Sequence, residues 1–546
     1  MVIENQTVRR NLFRIALVIC LALIGLFTSL SIAWAQTPIR TPSPTPQGIP
    51  QETEEPPEPE NSLVALRWTT PISLGVGWFP DVAADPLGGV HLVWAGGRLL
   101  KDSSSSSDDP ARGYDAVMYA ASPDGRRWES FNDIAAIPQG GGSESTRPAI
   151  IIDPGYTLHL TYRGQNVYYS QAPVFSAASA KSWRSPLQIS QGQVAYFSKL
   201  VAGVDGRLHL IFTQNVPTAA CGICYHVLYR RSDSDGFFWS DRLDVSVLDI
   251  GGAKPQLLID GQGNLHLVWE SGQGGSYGQL EDPTSVKYAA SYDGGDSWIN
   301  PIRLSSLASN AKNIALGLDG DDTLVAAWQD LPDNRVLFRV SEDQGQSWSL
   351  AKSIPGVWGV WYDYQPRLDD YAMATDSAGM LHLIMVGRTS SEQRSMQVLH
   401  LTWDGSRWSD PDVIVTLEGD VPEWPRIAIG NGNVLRVTWY QRDAAHIFDS
   451  GRGIYTIWYT QASITAPRLT PPPTPTNTPL PFEADSTTSA PLFLSSPTPD
   501  MALSLIPMDT GSAFSENDEV WLILKGLLPA LFLLVAVIVG IRMRNS

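Results

Sequence analysis

The stretch Gly261–Trp269, GQGNLHLVW, constrains this chain more than any other because it recurs. The same phrase reads GGVHLVW at Gly88–Trp94, YTLHLTY at Tyr156–Tyr162, GRLHLIF at Gly206–Phe212, DTLVAAW at Asp322–Trp328, GMLHLIM at Gly379–Met385 and NVLRVTW at Asn433–Trp439. Copies are spaced by about fifty to seventy residues, the period of a propeller blade and not of a helical solenoid. Each copy is a short β-branched and aromatic run bounded by turn residues, so it reads as a strand.

Aligned on that strand, each unit resolves into four. The first follows P-x-[IVL]-x-x-D, as in Pro255–Asp260, and a turn led by Asp comes next, at Asp153, Asp205, Asp260, Asp319 and Asp376. The LHLVW strand is second. An alternating run such as Lys287–Ser291 or Val336–Ser341 is third, and a Trp-headed strand is fourth, at Trp128, Trp183, Trp239, Trp298, Trp348 and Trp408. The last unit, Pro425–Ser463, has only three strands, while Leu66–Leu74 (LRWTTPISL) matches the fourth strand Ser297–Leu304 (SWINPIRL) yet precedes every complete unit. Pairing the two closes a ring and removes the open sheet edges a linear array would expose. The predicted fold is therefore all-β: a seven-bladed β-propeller, with six blades as the alternative, closed one-plus-three by Ser62–Leu74 lying beside Ile454–Ser463.

The turn into the fourth strand carries the most specific motif. Ser291, Asp293, Gly295 and Trp298 fit S-x-D-x-G-x-x-W, as do Ser341, Asp343, Gly345 and Trp348. Ser122, Asp124, Gly125 and Trp128, then Asp404, Gly405 and Trp408, and finally Asp235 and Trp239, fit forms one residue shorter. Ser or Asp caps turn amides, Gly takes the left-handed position, and Trp packs beneath the turn. This resembles the Asp-box, or BNR repeat, of the sialidase-like β-propellers over residues 62–463. The resemblance implies that these boxes mark fold and lie on the face opposite any active site. It also implies that a functional face carries the loops from second to third strand and from fourth strand to the next unit.

The two ends carry different signals. Arg9, Arg10 and Arg14 precede an apolar run ending in Ala33-Trp34-Ala35, so residues 1–35 are read as a cleaved signal peptide, an uncleaved anchor being the alternative. Residues 36–61 form a Pro- and acid-rich linker and 464–519 a Pro/Thr/Ser-rich stalk, neither able to bury a core. Val520–Ile541 is read as a transmembrane helix followed by a basic cytoplasmic tail, 542–546; the positive-inside bias places the propeller outside the cell membrane. The expected partner is a glycan or a surface protein, with the chain as its own single-pass membrane anchor.

A formal net charge of -18 excludes a nucleic-acid binder, which needs clustered Lys and Arg. Cys221 and Cys224 in an exported body are read as a short-loop disulfide. His91, His159, His209, His266 and His382 occupy one equivalent position of five separate units. Such residues cannot converge on one ion, so they are read as structural; no metal site and no cofactor is expected.

Candidate functional residues lie in the larger loops, at Gly96–Asp115, Gln214–Tyr225, Glu270–Lys287, Pro355–Tyr371 and Gln441–Ile454. Pro355–Tyr371 holds Trp358, Trp361, Tyr362, Tyr364 and Arg367, aromatics beside charges, the chemistry that stacks on sugar rings and takes their hydroxyls. An aromatic plug over a central channel is the competing reading. Just past the second strands, Arg163, Arg388, Arg442 and Glu270 stand at equivalent positions pointing towards the same mouth. The family resemblance implies for a sialidase three arginines on a substrate carboxylate and a Tyr paired with Glu, making Arg163, Arg388, Arg442, Glu270 and Tyr364 the catalytic candidates. The family's Arg-Ile-Pro motif is absent, Trp78-Phe79-Pro80-Asp81 standing there instead, and Arg147-Pro148 and Arg426-Ile427 match it only in part. A non-catalytic binding propeller is therefore expected, with an exo-sialidase or related glycoside hydrolase and a structural envelope or surface-assembly protein as alternatives.

Overall fold

The computed structural model of the chain describes residues 66–97, 115–129, 131–137, 146–218, 221–247, 249–275, 278–331, 333–360, 369–442 and 455–473. The segments read as signal peptide and first linker, the stalk beyond 473 and Val520–Ile541 lie outside the described residues. Among the described residues no helix is long and apolar enough to cross a membrane.

The described strands form small antiparallel sheets. In one, Gly252–Ile259, Leu265–Ser271, Ser285–Ser291 and Ile302–Arg303 follow each other in space as in sequence. Five sheets have four strands and one has eight, the latter being two four-stranded runs joined where Trp358 and Gly359 pair with Arg388 and Gly387. Adjacent sheets share one apolar layer, as where Val268, Val286 and Tyr288 pack with Ile314, Leu316 and Leu324. The second-strand tryptophans Trp94, Trp269, Trp328 and Trp439 are among the largest fully buried side chains.

The early strand does join the late one. Ile72–Val76 pairs antiparallel with Tyr455–Ser463 from Ile72 opposite Tyr459 to Val76 opposite Thr456, and Trp68 bridges to Ala462. That sheet runs Ile72–Val76, Tyr455–Ser463, Val434–Arg442, Val421–Gly430.

The recurring histidine is built into the turn and strand of its own unit. Asp260 accepts the backbone N–H groups of Gln262 and Asn264 at 2.9 and 2.8 Å, and its second oxygen lies 3.1 Å from His266 Nε2. His266 Nδ1 is hydrogen-bonded to the Tyr288 hydroxyl at 2.8 Å. Burial pushes the Asp260 carboxyl up, but the bonds from Asn264 and His266 outweigh it and hold the group below the usual carboxylate range. Asp85, His91 and Tyr119 repeat the arrangement, as do Asp153, His159 and Tyr169. In the unit of Asp376 and His382, His400 replaces the tyrosine.

The third-strand aromatic then links each unit to the next. Tyr119 meets Trp183, Tyr169 meets Trp239, Tyr229 meets Trp298, Tyr288 meets Trp348 and Phe338 meets Trp408, all T-shaped with centroids 5.0–5.9 Å apart. His400 meets Trp68 at 5.5 Å, and Tyr459 returns to Trp128 of the first complete unit at 4.8 Å. The tryptophan that heads each fourth strand is thus an inter-sheet contact.

The Asp-box turns have the expected local chemistry. Asp293 Oδ1 accepts from Ser291 Oγ and Ser297 N at 2.8 and 2.9 Å, and Asp343 does the same with Ser341 and Ser347 at 2.8 Å. Backbone N–H groups of Arg127 and Arg126 hold the Asp124 carboxyl down to about 2. One position differs from the sequence alignment. Asp235 occupies the left-handed site with φ 51°, and the capping is done by Ser234, which accepts from Phe238 N at 2.8 Å, and by Ser232, which accepts from Gly236 N at 2.9 Å. This box therefore has the long spacing, Ser232 to Trp239, with Ser in the Asp place.

Candidate functional site

The inner strand of each unit begins where the second strand ends, so both ends share one face; the Asp-boxes, between third and fourth strands, lie on the other. Register identifies equivalent inner positions. Asp81, Ala149, Lys199, Gln256, Ala315, Ala372 and Arg426 each pair with the residue just before the second-strand aromatic, or before Met385 in the case of Ala372, from Asp81 opposite Val93 to Arg426 opposite Thr438. All of them line one central cavity of about 460 Å3.

Two residues earlier stands a second ring: Phe79, Arg147, Phe197, Lys254, Asn313, Asp370 and Trp424. Five of these have positive φ, between 37° and 58°: Phe79, Arg147, Lys254, Asn313 and Trp424. Four precede a proline, at Pro80, Pro148, Pro255 and Pro425. The strand register slips beside Phe79, Lys254, Asn313 and Trp424. A proline lacks the N–H that a ladder would use, so it suits a bulge, and the bulge re-aims the preceding side chain. Left-handed backbone at non-glycine residues is strained and is retained where surrounding contacts over-determine it.

Those contacts interlock across the ring. The Trp424 ring lies 5.2 Å from Phe79 and stacks on Phe197 at 5.9 Å, and the Arg426 guanidinium sits 3.9 Å from its centroid. Arg147 lies 4.4 Å over Phe197 and 5.2 Å over Phe79. Lys254 Nζ donates to the Asp369 carbonyl at 2.6 Å and pairs with Glu270 at 3.2 Å, and Glu270 accepts from Asn313 N at 2.8 Å. Asp369 Oδ1 accepts from Trp424 N at 2.8 Å, while Asp370 accepts from Gln256 and faces Arg426 at 3.5 Å. Every member of this ring is buried. Together they close the channel on this face. The competing reading of Pro355–Tyr371 as an aromatic plug rests mostly on aromatics outside the described residues, but Asp369 and Asp370 at its end do take part in this ring.

Burial pushes the Asp369 carboxyl up to about 8 and that of Asp370 up to about 7, against the opposing pull of the Trp424 N–H on the first and of Arg426 on the second. Both folded values exceed the unfolded value near 4, so their contribution to stability is complete below about pH 4 and is lost as the pH rises through 7 to 8. The full chain should therefore lose stability to urea from pH 5 to pH 8. Asp369→Asn, which keeps an acceptor for Trp424 N, is expected to reduce that loss by about 2 kcal/mol. A pH dependence unchanged in the variant would refute the assignment.

Of the predicted residues, Arg163 is 3% exposed, at the end of Thr157–Arg163, with its guanidinium 4.8 Å over Tyr196. Arg442 pairs with Glu423 at 3.0 Å and lies 5.3 Å from the Tyr455 ring. Arg388 ends Leu381–Arg388, opposite Trp358, half-buried. Glu270 is taken up by Lys254. All four arginine and glutamate candidates are strand residues, not loop residues. Trp358 is half-buried and Lys352–Gly359 is strand, so the loop begins later than Pro355. Trp361, Tyr362, Tyr364 and Arg367 lie outside the described residues.

A Tyr/Glu pair does exist, at positions the sequence reading passed over: the Tyr440 hydroxyl donates to Glu423, which Arg442 also holds. Lys254, Asp369, Asp370 and Trp424 were likewise missed, although Phe-Pro-Asp, Arg-Pro-Ala, Lys-Pro-Gln and Trp-Pro-Arg recur ahead of four second strands. Cys221 and Cys224 form a disulfide with Cα atoms 5.9 Å apart. Donor atoms of Asp153, His159 and Asp235 lie within 4.8 Å of one another, but both His159 nitrogens already have partners in Asp153 and Tyr169.

No protein-family model and no curated protein matches the chain. Among solved structures it is similar to the BP39L lectin of Burkholderia pseudomallei, at 12% identity and TM-score 0.46 over 69% of this chain and 97% of that one. It is similar to a family PL25 ulvan lyase, at 10% identity and TM-score 0.45 over 68% and 93%. It is also similar to the intramolecular trans-sialidase of Ruminococcus gnavus, at 12% identity and TM-score 0.38 over 73% and 98%. The described residues form an all-β array of small antiparallel sheets, mostly four-stranded. Identities this low bring neither ligand nor activity to this chain.

Proposed function

We propose that the chain is a membrane-anchored, extracytoplasmic, seven-bladed propeller that binds a glycan on the face where its second strands end, without catalysis. Seven blades follow if the eight-stranded sheet counts as two and Ile72–Val76 completes the last. The signal peptide, stalk and Val520–Ile541 anchor read from sequence supply the location.

The observation that carries the binding reading is a set of half-buried aromatic rings from separate units, each backed by a buried partner. Tyr196 has Arg163 over its face and Tyr225 at 5.1 Å; Tyr455 has Arg442 at 5.3 Å and Trp78 at 4.7 Å. Partly exposed rings held in place by such partners are what pyranose stacking uses.

A hydrolase reading rests on Tyr440, Glu423 and Arg442. Against it, Tyr440 is 1% exposed, and burial together with the Glu423 charge holds its hydroxyl well above the usual phenol range. A nucleophile needs the reverse, an accessible group with a lowered pKa.

A glycan array probed with the full-length chain in detergent should give carbohydrate binding that Tyr196→Ala and Trp78→Ala each weaken about tenfold, a loss of about 1.4 kcal/mol. Absence of any glycan signal would favour the assembly-protein reading. Release of sialic acid from a fluorogenic substrate, lost in Tyr440→Phe, would overturn the non-catalytic reading.

A further inference from the structure

Beneath the aromatic ring, the cavity holds charges that the glycan reading leaves unused. At its upper level only four of the equivalent inner positions are polar: Asp81, Lys199, Gln256 and Arg426, the rest being Ala149, Ala315 and Ala372. Asp81 is committed to Ile150 N at 2.9 Å, and Gln256 to Asp370. Lys199 has no such bond among the described residues, and Arg426, although it faces Asp370 and lies over Trp424, is only partly satisfied. Arg426 is 4% exposed; its Nη1 donates to the carbonyl of Pro425 at 2.8 Å, but Nε and Nη2 are buried without a hydrogen-bond acceptor, Asp370 lying 3.5 Å from Nη2. Leaving such donors unsatisfied is costly, so an acceptor belongs there. Nε and Nη2 form one edge of the guanidinium, the edge that takes both oxygens of a carboxylate side-on.

Lys199 lines the same cavity and is half-buried. Burial, then the facing Arg426, hold its ammonium down to about 8, although Asp81 and Asp370 oppose the shift. Two cations repelling one another across a cavity gain from an anion between them.

We propose that the channel is a second binding site, for a small carboxylate held bidentate by the Nε–Nη2 edge of Arg426 with Lys199 as the second cation. The rest of the lining includes apolar groups of Val82, Leu257, Leu316, Met373 and Ile427, beside Asp319 and Thr375. That lining favours a carboxylate carried on a short carbon chain over a fully hydrated inorganic ion, which would lose its water shell on two sides.

Calorimetric titration of the full-length chain with butyrate, and separately with sulfate and chloride at matched ionic strength, tests this. Saturable butyrate binding that falls at least tenfold in both Arg426→Gln and Lys199→Met, with sulfate and chloride at least tenfold weaker, is the expected result. Lys199→Met matches the stem length of the lysine and guards against misfolding of the arginine variant; circular dichroism and the thermal midpoint certify both. Butyrate binding unaffected by Lys199→Met in a folded variant, sulfate or chloride binding as tight as butyrate, or no saturable binding would each overturn the proposal. Glycan binding at the opposite level should persist in Lys199→Met, so loss of one site leaves the other readable.

Discussion

A chain beginning at Trp78 is expected to lose on the order of 5 kcal/mol of stability, while one beginning at Leu66 keeps the stability of the whole. The difference between them is the strand Ile72–Val76 and the residues that lead into it. Leu74 is 4% exposed within the core shared with Val90, Leu92 and Ile457, and losing a buried leucine costs about 2–5 kcal/mol. Thr69 N donates to the Gln461 carbonyl at 2.9 Å, and Trp68 Nε1 donates to Asp412 at 2.6 Å. Each lost hydrogen bond adds about 1 kcal/mol. Removal would also leave Tyr455–Ser463 as an open edge, which invites pairing between molecules. Urea unfolding followed by tryptophan fluorescence, with light scattering for association, reads both effects. Equal midpoints for the two chains would mean that the closing strand is dispensable.

The second large effect is expected at an Asp-box glycine. Gly345 has φ +84°, and a Cβ there would lie 1.7 Å from the Tyr288 hydroxyl oxygen and 2.4 Å from its ring. Tyr288 cannot retreat, because His266 holds its hydroxyl and Trp348 packs against its ring. Gly345→Ala should therefore cost about 2–5 kcal/mol, the backbone term of about 1–2 plus overpacking of about 1–3. Gly405 provides the control. Its φ is +89°, but a Cβ there meets only Asp319 at 3.8 Å, so Gly405→Ala should cost about 1–2 kcal/mol from the backbone alone. If the two substitutions cost the same, contact between neighbouring units at the box is not what fixes glycine there.

How far the sequence reached follows from the range of the interactions involved. The LHLVW strand, the Asp-led turn and the Trp-headed fourth strand are local patterns, and the structure places each in its expected role. The pairing of Ile72–Val76 with Tyr455–Ser463 was legible because a missing strand at one end matched an extra one at the other. The site was legible only in part. Arg163, Glu270 and Arg442 lie near it, but their partners Tyr196, Lys254 and Glu423 come from inner strands, and no local pattern announces a contact made between strands. Trp424 and Lys254 were missed because a residue before proline looks like a strand interrupted, whereas here the interruption turns the side chain across the channel. Asp235 was misassigned for a smaller reason: Ser234 can cap the turn as well as Asp, so the Asp one place on looked like the motif.

After its last strand the chain does not leave at once. Ile464 N donates to the Asn433 carbonyl at 3.0 Å and Leu469 N to that of Asn431 at 2.8 Å; the Pro467 carbonyl accepts from Ser377, and that of Pro472 from Tyr156 at 2.7 Å. Asn431, Ser377 and Tyr156 belong to the turns of three different units, all on the face away from the aromatic ring. Tension applied to the chain beyond residue 473 would thus be met first by these contacts, spread over three sheets, before it reached Tyr455–Ser463 and could peel the seam that closes the ring. Docked in this way, the exit segment would act as a strain relief, and a load on the chain beyond it would reach the body as a whole.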